Sequence, residues 1–190
     1  MVTEPSEDTW DLYLLIKNKN FLKTSFSFLP YVDLTYKLCR NIPLYDHKNH
    51  PDSIGADNDY FWPGVRSDKL IKASPFLYLN LLNQAEINLE LDKNLYNDID
   101  AYISVRYATD NDKDFIHKDS CDTIIIYLSS TNLQSGTTLY TEDDNPLVDI
   151  SFVQNTAIYF DGDIKHKSKL NFGNNIDNGR MTINIFCWRK

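Results

Sequence analysis

Apolar and polar residues change rhythm partway along this 190-residue chain. From Ala85 onward the apolar positions fall two apart. Ile87, Leu89 and Leu91 alternate with Asn88, Glu90 and Asp92, which predicts a half-buried strand because successive strand side chains point to opposite faces. Asn94 to Asp98 reads as a turn and Ile99 to Tyr107 as a second strand. Short strands between polar turns follow over about 115–130, 136–141, 147–153, 156–161, 164–170 and 180–188. The part before Ala85 reads differently. Leu29 to Ile42 predicts a helix, with Pro30 suited to its first turn and Pro43 stopping it. Ser67-Asp68 opens another helical stretch to about Asn83, kinked or divided at Pro75. Trp10 to Ile16 fits a strand or a short buried helix, which periodicity alone does not separate, and residues 1–9 are polar enough to fray.

Helices first and antiparallel strands afterwards is an α+β order whose strands must fold over into two layers. Eight such strands make a jelly roll, the double-stranded β-helix, with the N-terminal helices packed on one sheet. With no internal repeat or linker, residues 1–190 are expected to form a single domain, helical over about 1–84 and jelly-roll over about 85–190.

Residues 43–67 interrupt this scheme. They hold three prolines, two glycines, His47, His50 and four aspartates between Asp46 and Asp59, with no apolar period. A connection this long is usually a functional loop or a mobile one. It ends in Tyr60, Phe61, Trp62, Pro63, Gly64, Val65 and Arg66. We expect residues 44–66 to form a lid, with Tyr60, Phe61, Trp62 and Arg66 touching substrate; aromatics that merely pin the loop to the core are the plainer alternative.

Charge and cysteine content narrow the classes. A net charge of −8 argues against a nucleic-acid coat, whose binding is driven by phosphate neutralisation, without excluding a nucleic-acid substrate held by a local patch. Three cysteines without CxxC spacing point to a reducing compartment rather than a disulfide framework. No window approaches the roughly 20 apolar residues of a membrane span, and the first residues lack a signal-peptide pattern. The cytoplasm is the expected location, that of the host if the chain is phage-encoded.

The chemistry concentrates between Tyr107 and Thr182. His117-Lys118-Asp119 is a weak motif by itself, since aspartate is common in this chain. On a strand, however, His117 and Asp119 project to one face, and His166 follows on a later strand. Two histidines and one carboxylate are the face that binds mononuclear non-haem Fe(II) and leaves positions open. His47 and His50 serve as a contrast: His-x-x-His in a Pro- and Asp-rich loop lacks a scaffold, and a solvated loop is the plainer reading. Arg180 begins the last strand, where Arg180, Thr182 and Asn184 share one face. An inward arginine needs an anion, its fork matches a carboxylate, and Thr182 can donate a further bond, so this strand suits a dicarboxylate cosubstrate; a structural Arg–Asp pair is the alternative. Asp110-Asn111-Asp112-Lys113-Asp114 imitates a calcium loop but has Phe115 and Cys121 where glycine and glutamate are required, so it is taken as a solvated turn. Lys165, Lys167 and Lys169 around His166 are read as a solvated stripe facing away from the site.

Tyr107, His117 with Asp119, Tyr127-Leu128, Gly136-Thr137, His166 and Arg180 together resemble the prolyl-4-hydroxylase-like branch of the Fe(II)/2-oxoglutarate dioxygenases, in its small bacterial or phage form. The resemblance covers roughly residues 99–190. It implies 2-oxoglutarate and O2 as cosubstrates, Arg180 on the distal carboxylate, Tyr107 beside the cosubstrate, and hydroxylation of a C–H bond on a protein or peptide. The chain departs from the animal enzymes at Ile126, where they carry a second cosubstrate tyrosine. A nucleic-acid-base hydroxylase and a non-enzymatic metal-binding jelly roll are the alternatives.

Overall fold

The computed structural model describes residues 22–53 and 62–190. In chain order the elements are β1 (Leu22–Phe26), α1 (Val32–Cys39), β2 (Leu44–Asp46), β3 (Val65–Ser67), α2 (Leu70–Ala73), α3 (Pro75–Leu89), β4 (Tyr96–Arg106), β5 (Asp122–Tyr127), β6 (Asn132–Tyr140), β7 (Pro146–Phe152), β8 (Thr156–Phe160), β9 (Lys165–Ser168) and β10 (Arg180–Arg189). Seven strands form one sheet in the order β1-β8-β5-β10-β4-β3-β2, and three form the other in the order β7-β6-β9. An isolated bridge between His117 and His166 adds a fourth rung of chain to the smaller sheet. With β4, β5, β8 and β10 opposite, this is the double-stranded β-helix. Trp10 to Ile16 lies outside the described residues, among which no helix is long and apolar enough to cross a membrane.

The alternation along the central strands builds two separate cores. Ile124, Ile126 and Leu128 face the helices with Ala101, Ile103, Val105, Met181, Ile183 and Ile185, packed against Leu70, Leu77, Leu81, Ala85 and Leu89. Ile125 and Tyr127 face the other way and meet Leu139, Phe152, Ile158 and Phe160 between the sheets. Along β5, parity thereby assigns each apolar side chain to one core or the other.

Three expectations need correction. Residues 85–91 are not a strand: α3 continues to Leu89 and ends at Glu90, whose left-handed φ of 54° closes the helix. Leu81, Leu82, Ala85 and Leu89 are its buried stripe, whereas Ile87 is exposed, so spacings of three and four override the apparent alternation. No turn residue between Asn83 and Glu90 would have stopped the helix. The stretch before that boundary is not only helical either, since β1, β2 and β3 all join the larger sheet. The described residues between 43 and 67 are likewise not all loop. β2 and β3 pair with each other, and Val65 and Arg66 pair with Val105 and Ser104 of β4. His50 is buried rather than solvated, because its Nε2 bonds the Ser67 carbonyl at 2.8 Å and Trp62 lies edge-on to its ring.

Candidate metal centre

The metal-binding candidates sit where the smaller sheet meets the bend before β5. His166 is the second residue of β9, and the backbone of His117 is tied to it in both directions, at 3.1 and 2.8 Å. Asp119 lies beyond the bridge in irregular chain; the regular strand begins only at Asp122. The expectation of a single strand carrying His117 and Asp119 therefore fails. A one-pair bridge followed by a bend brings the two side chains together instead, because the chain must cross from the smaller sheet to the larger one there. Ligand atoms of His117, Asp119 and His166 all lie within 4.8 Å of one another.

Hydrogen bonds fix which atoms meet. Nδ1 of His117 lies 3.0 Å from the Phe115 carbonyl and Nδ1 of His166 lies 3.1 Å from the Ile164 carbonyl. A carbonyl only accepts, so each Nδ1 carries the proton and each Nε2 presents its lone pair. Those Nε2 atoms stand 3.9 and 3.4 Å from the two oxygens of Asp119. Burial disfavours protonation of His166 and pulls its pKa below the usual histidine range, against the opposing pull of Asp119. The Thr123 hydroxyl donates to Asp119 Oδ2 at 2.6 Å and orients the carboxylate. The sequence reading missed Thr123, although its parity with Ile125 and Tyr127 on β5 would have placed it inside the jelly roll.

Arg180 closes the far side of the same cavity. Ser129 sets the entry of β10, donating to the Gly179 carbonyl and accepting from the Met181 N–H, both at 2.6 Å. Arg180 is 3% exposed and its guanidinium lies above the rings of Phe152 and Tyr127, at 5.4 and 5.8 Å. It donates to the Gly136 carbonyl at 3.0 Å, while its buried Nε has no hydrogen-bond partner among the described residues. No carboxylate pairs with it there either. Burial, aided by repulsion from Arg106, pulls its pKa down to about 10. Gly136, whose carbonyl accepts the bond from Arg180, belongs to β6. It lies at a bulge in β6 with φ 152°, where an added Cβ would meet the Ile150 carbonyl at 1.9 Å.

The other site expectations divide. Thr182 lines the cavity with Arg180, but its hydroxyl donates to Asn184 at 2.9 Å. Trp62 and Arg66 also line it, and the Arg66 guanidinium lies 4.7 Å from the Trp62 ring. Tyr60 and Phe61 lie outside the described residues. Tyr107 does not line this cavity; it packs on the helix-side core and borders a surface groove with Trp62 and Asp110. Ile126 faces the helices, so no tyrosine at that position would reach the cavity, whereas Tyr127 does face inward. The acidic turn is a short 3-10 helix, Ala108–Lys113, and its Asp110 is buried, accepting from the Tyr107 N–H at 2.8 Å. Lys165 and Lys169 pair with Asp144 and Asp149 rather than lying loose in solvent.

The donor set fits a divalent transition metal with open positions, and the orphaned Nε of Arg180 in the same cavity fits a carboxylate. Comparison with known proteins adds the fold. No family model and no curated sequence matches the chain. Solved structures do. A prolyl-4-hydroxylase from Pseudomonas putida superposes with a TM-score of 0.58 at 13% identity, covering 94% of this chain and 96% of that one. The alpha-ketoglutarate-dependent carbocyclase SnoK of nogalamycin biosynthesis gives 0.58 at 11%, over 97% and 84%. A 2OG-Fe(II) oxygenase family oxidoreductase from Burkholderia pseudomallei gives 0.57 at 10%, over 100% and 93%. The chain has the double-stranded β-helix fold of the Fe(II)/2-oxoglutarate oxygenases.

Proposed function

We propose that this protein is an Fe(II)- and 2-oxoglutarate-dependent oxygenase that hydroxylates a C–H bond of a protein or peptide. One observation carries the activity: His117, Asp119 and His166 open onto the same cavity as a buried arginine that has no carboxylate partner among the described residues. A bare metal-binding module has no use for that arginine, because an unpaired buried cation is costly. The resemblance to prolyl hydroxylases supports the peptide substrate.

His117 and His166 would offer Nε2, and Asp119 one oxygen, to Fe(II). When bound, iron and 2-oxoglutarate supply the oxidising power that inserts one oxygen atom of O2 into the C–H bond, with succinate and CO2 as by-products. The chain's own contribution is placement. The Phe115 and Ile164 carbonyls hold the imidazole tautomers, and Thr123 holds the carboxylate. Arg180 would grip the distal carboxylate of 2-oxoglutarate, with its Nε as one donor and the rings of Phe152 and Tyr127 keeping water from its face. Thr182, spent on Asn184, would have to rotate to help. Trp62 and Arg66 would border the side from which substrate arrives. The test is turnover: protein reconstituted with Fe(II) should convert 2-oxoglutarate to succinate only in the presence of O2. Reconstituted protein that binds iron but forms no succinate over hours with a broad peptide mixture would refute the reading.

A further inference from the structure

Beyond the inner cavity lies a second, more open groove of about 410 Å³, and Asp119, Arg66 and Phe186 belong to the walls of both. We propose that this groove seats a neutral aromatic side chain of a peptide substrate, at or next to the residue that is hydroxylated, and that Phe186 and Trp188 select it. The inference rests on the oxygenase reading, since it takes Asp119 as a ligand of the metal that the groove adjoins.

The sheet itself builds the seat. Phe186 and Trp188 are two apart on β10, so they fall on the same face as Arg180, Thr182 and Asn184. Their ring centroids are 6.2 Å apart. Tyr102 on neighbouring β4 stands 6.0 Å from Phe186, with its hydroxyl held by Asp52 at 3.2 Å. Because β4 and β10 are paired along their length, backbone register sets the spacing of the three rings. Tyr102 is buried behind the strip, whereas Phe186 and Trp188 are only half-buried and keep ring surface open on the groove. Uncovered ring surface in a concave wall beside a metal centre is what an apolar guest would cover.

The preference comes from the rings and not from charge. Lys118 is engaged by Glu142 at 2.7 Å, Asp119 would be answered by the metal, and Ser120 and Cys121 are uncharged. Arg66 lies over the Tyr102 and Phe186 rings at 5.2 and 5.8 Å, which steadies the strip whatever else it bonds. An aliphatic guest would gain only from buried area. A ring gains further from each offset or edge-on pairing, and two such pairs amount to roughly tenfold in affinity. A nucleobase is flat as well, but the phosphates that accompany it would meet a protein of net charge −8, so the amino-acid ring is the favoured guest.

The experiment titrates N-acetyl-tryptophanamide, N-acetyl-leucinamide and adenosine calorimetrically into the full chain saturated with Mn(II), a redox-inert substitute for Fe(II), and 2-oxoglutarate. The capped tryptophan should bind roughly tenfold tighter than the capped leucine. Mn(II) should also broaden the proton resonances of its bound ring, which puts that ring beside the metal. Phe186→Leu combined with Trp188→Leu keeps apolar bulk but removes both rings, and should erase the preference. If the double variant unfolds, the two single variants replace it, and each should reduce the preference. Phe76→Ala removes a ring that is 86% exposed on α3, away from the groove, and should change nothing. Equal binding of the tryptophan and leucine probes, a preference that survives intact in the folded variants, or a bound ring that Mn(II) leaves sharp overturns the proposal. Adenosine binding tighter than the capped tryptophan overturns it in favour of a nucleobase. Failure of the chain to bind Mn(II) or 2-oxoglutarate would instead count against the oxygenase reading; the three probes are then titrated without them, and the same affinities judge Phe186 and Trp188.

Discussion

β10 runs through both halves of the molecule, and its two faces share a backbone but little else. Met181, Ile183 and Ile185 face the helices, fully buried among apolar neighbours. Arg180, Thr182, Asn184 and Phe186 face the other way and line the cavity. The first face is satisfied by burial. The second holds a guanidinium with an orphaned Nε, which burial penalises and only a ligand would relieve. Stability and chemistry are thus divided by parity, so substitutions one residue apart should have unlike consequences.

The largest effect should come from the metal ligands. His117→Ala, Asp119→Ala and His166→Ala are each expected to remove tight Fe(II) binding and all turnover, measured by iron retention after gel filtration and by succinate formation. His50→Ala should keep iron, although it loses stability with its bond to Ser67. Iron loss in the His50 variant alone would move the metal site to the hairpin. On the helix-facing side, Ile183→Ala should cost about 2–5 kcal/mol of stability in denaturant unfolding, as for other buried large-to-small changes, with 2-oxoglutarate affinity unchanged in the folded protein. A smaller effect is expected at Thr123, which holds the Asp119 carboxylate but would not itself touch the metal. Thr123→Val should weaken Fe(II) binding by about 10–100-fold, the usual cost of losing a partner behind a metal ligand, with folding little altered. Unchanged iron affinity would make that hydroxyl bond incidental.

Periodicity made the jelly roll legible, and residue type singled out the clustered His117, Asp119 and His166 and the buried Arg180, because strand parity and ligand chemistry are both local properties. What could not be read depended on distant chain. Residues 85–91 alternate like a strand, but the helix stripe of Leu81, Ala85 and Leu89 joins a core completed by Met181, Ile183 and Ile185 of β10, far away in sequence. His50 looked solvated because the Ser67 carbonyl that satisfies it comes from the other arm of the hairpin. Tyr107 was given a place beside the cosubstrate through resemblance alone; the chain turns at Ala108 and leaves its ring on the helix side. Gly136 was recognised as special, yet only its approach to β7 reveals why, and only then does its carbonyl meet Arg180.

The account depends most on Arg180, and a single titration tests it. Under anaerobic conditions, 2-oxoglutarate is added to Fe(II)-loaded wild type and Arg180→Ala, and the weak visible absorption of the iron-chelated cosubstrate is followed, with iron affinity and unfolding measured on the same samples. Removing one member of a buried ion pair costs about 3–5 kcal/mol. Arg180→Ala should therefore need roughly two to three and a half orders of magnitude more 2-oxoglutarate, while binding Fe(II) as the wild type does. A folded, iron-loaded Arg180→Ala protein that titrates at the wild-type concentration would contradict the assignment of that buried charge to the cosubstrate.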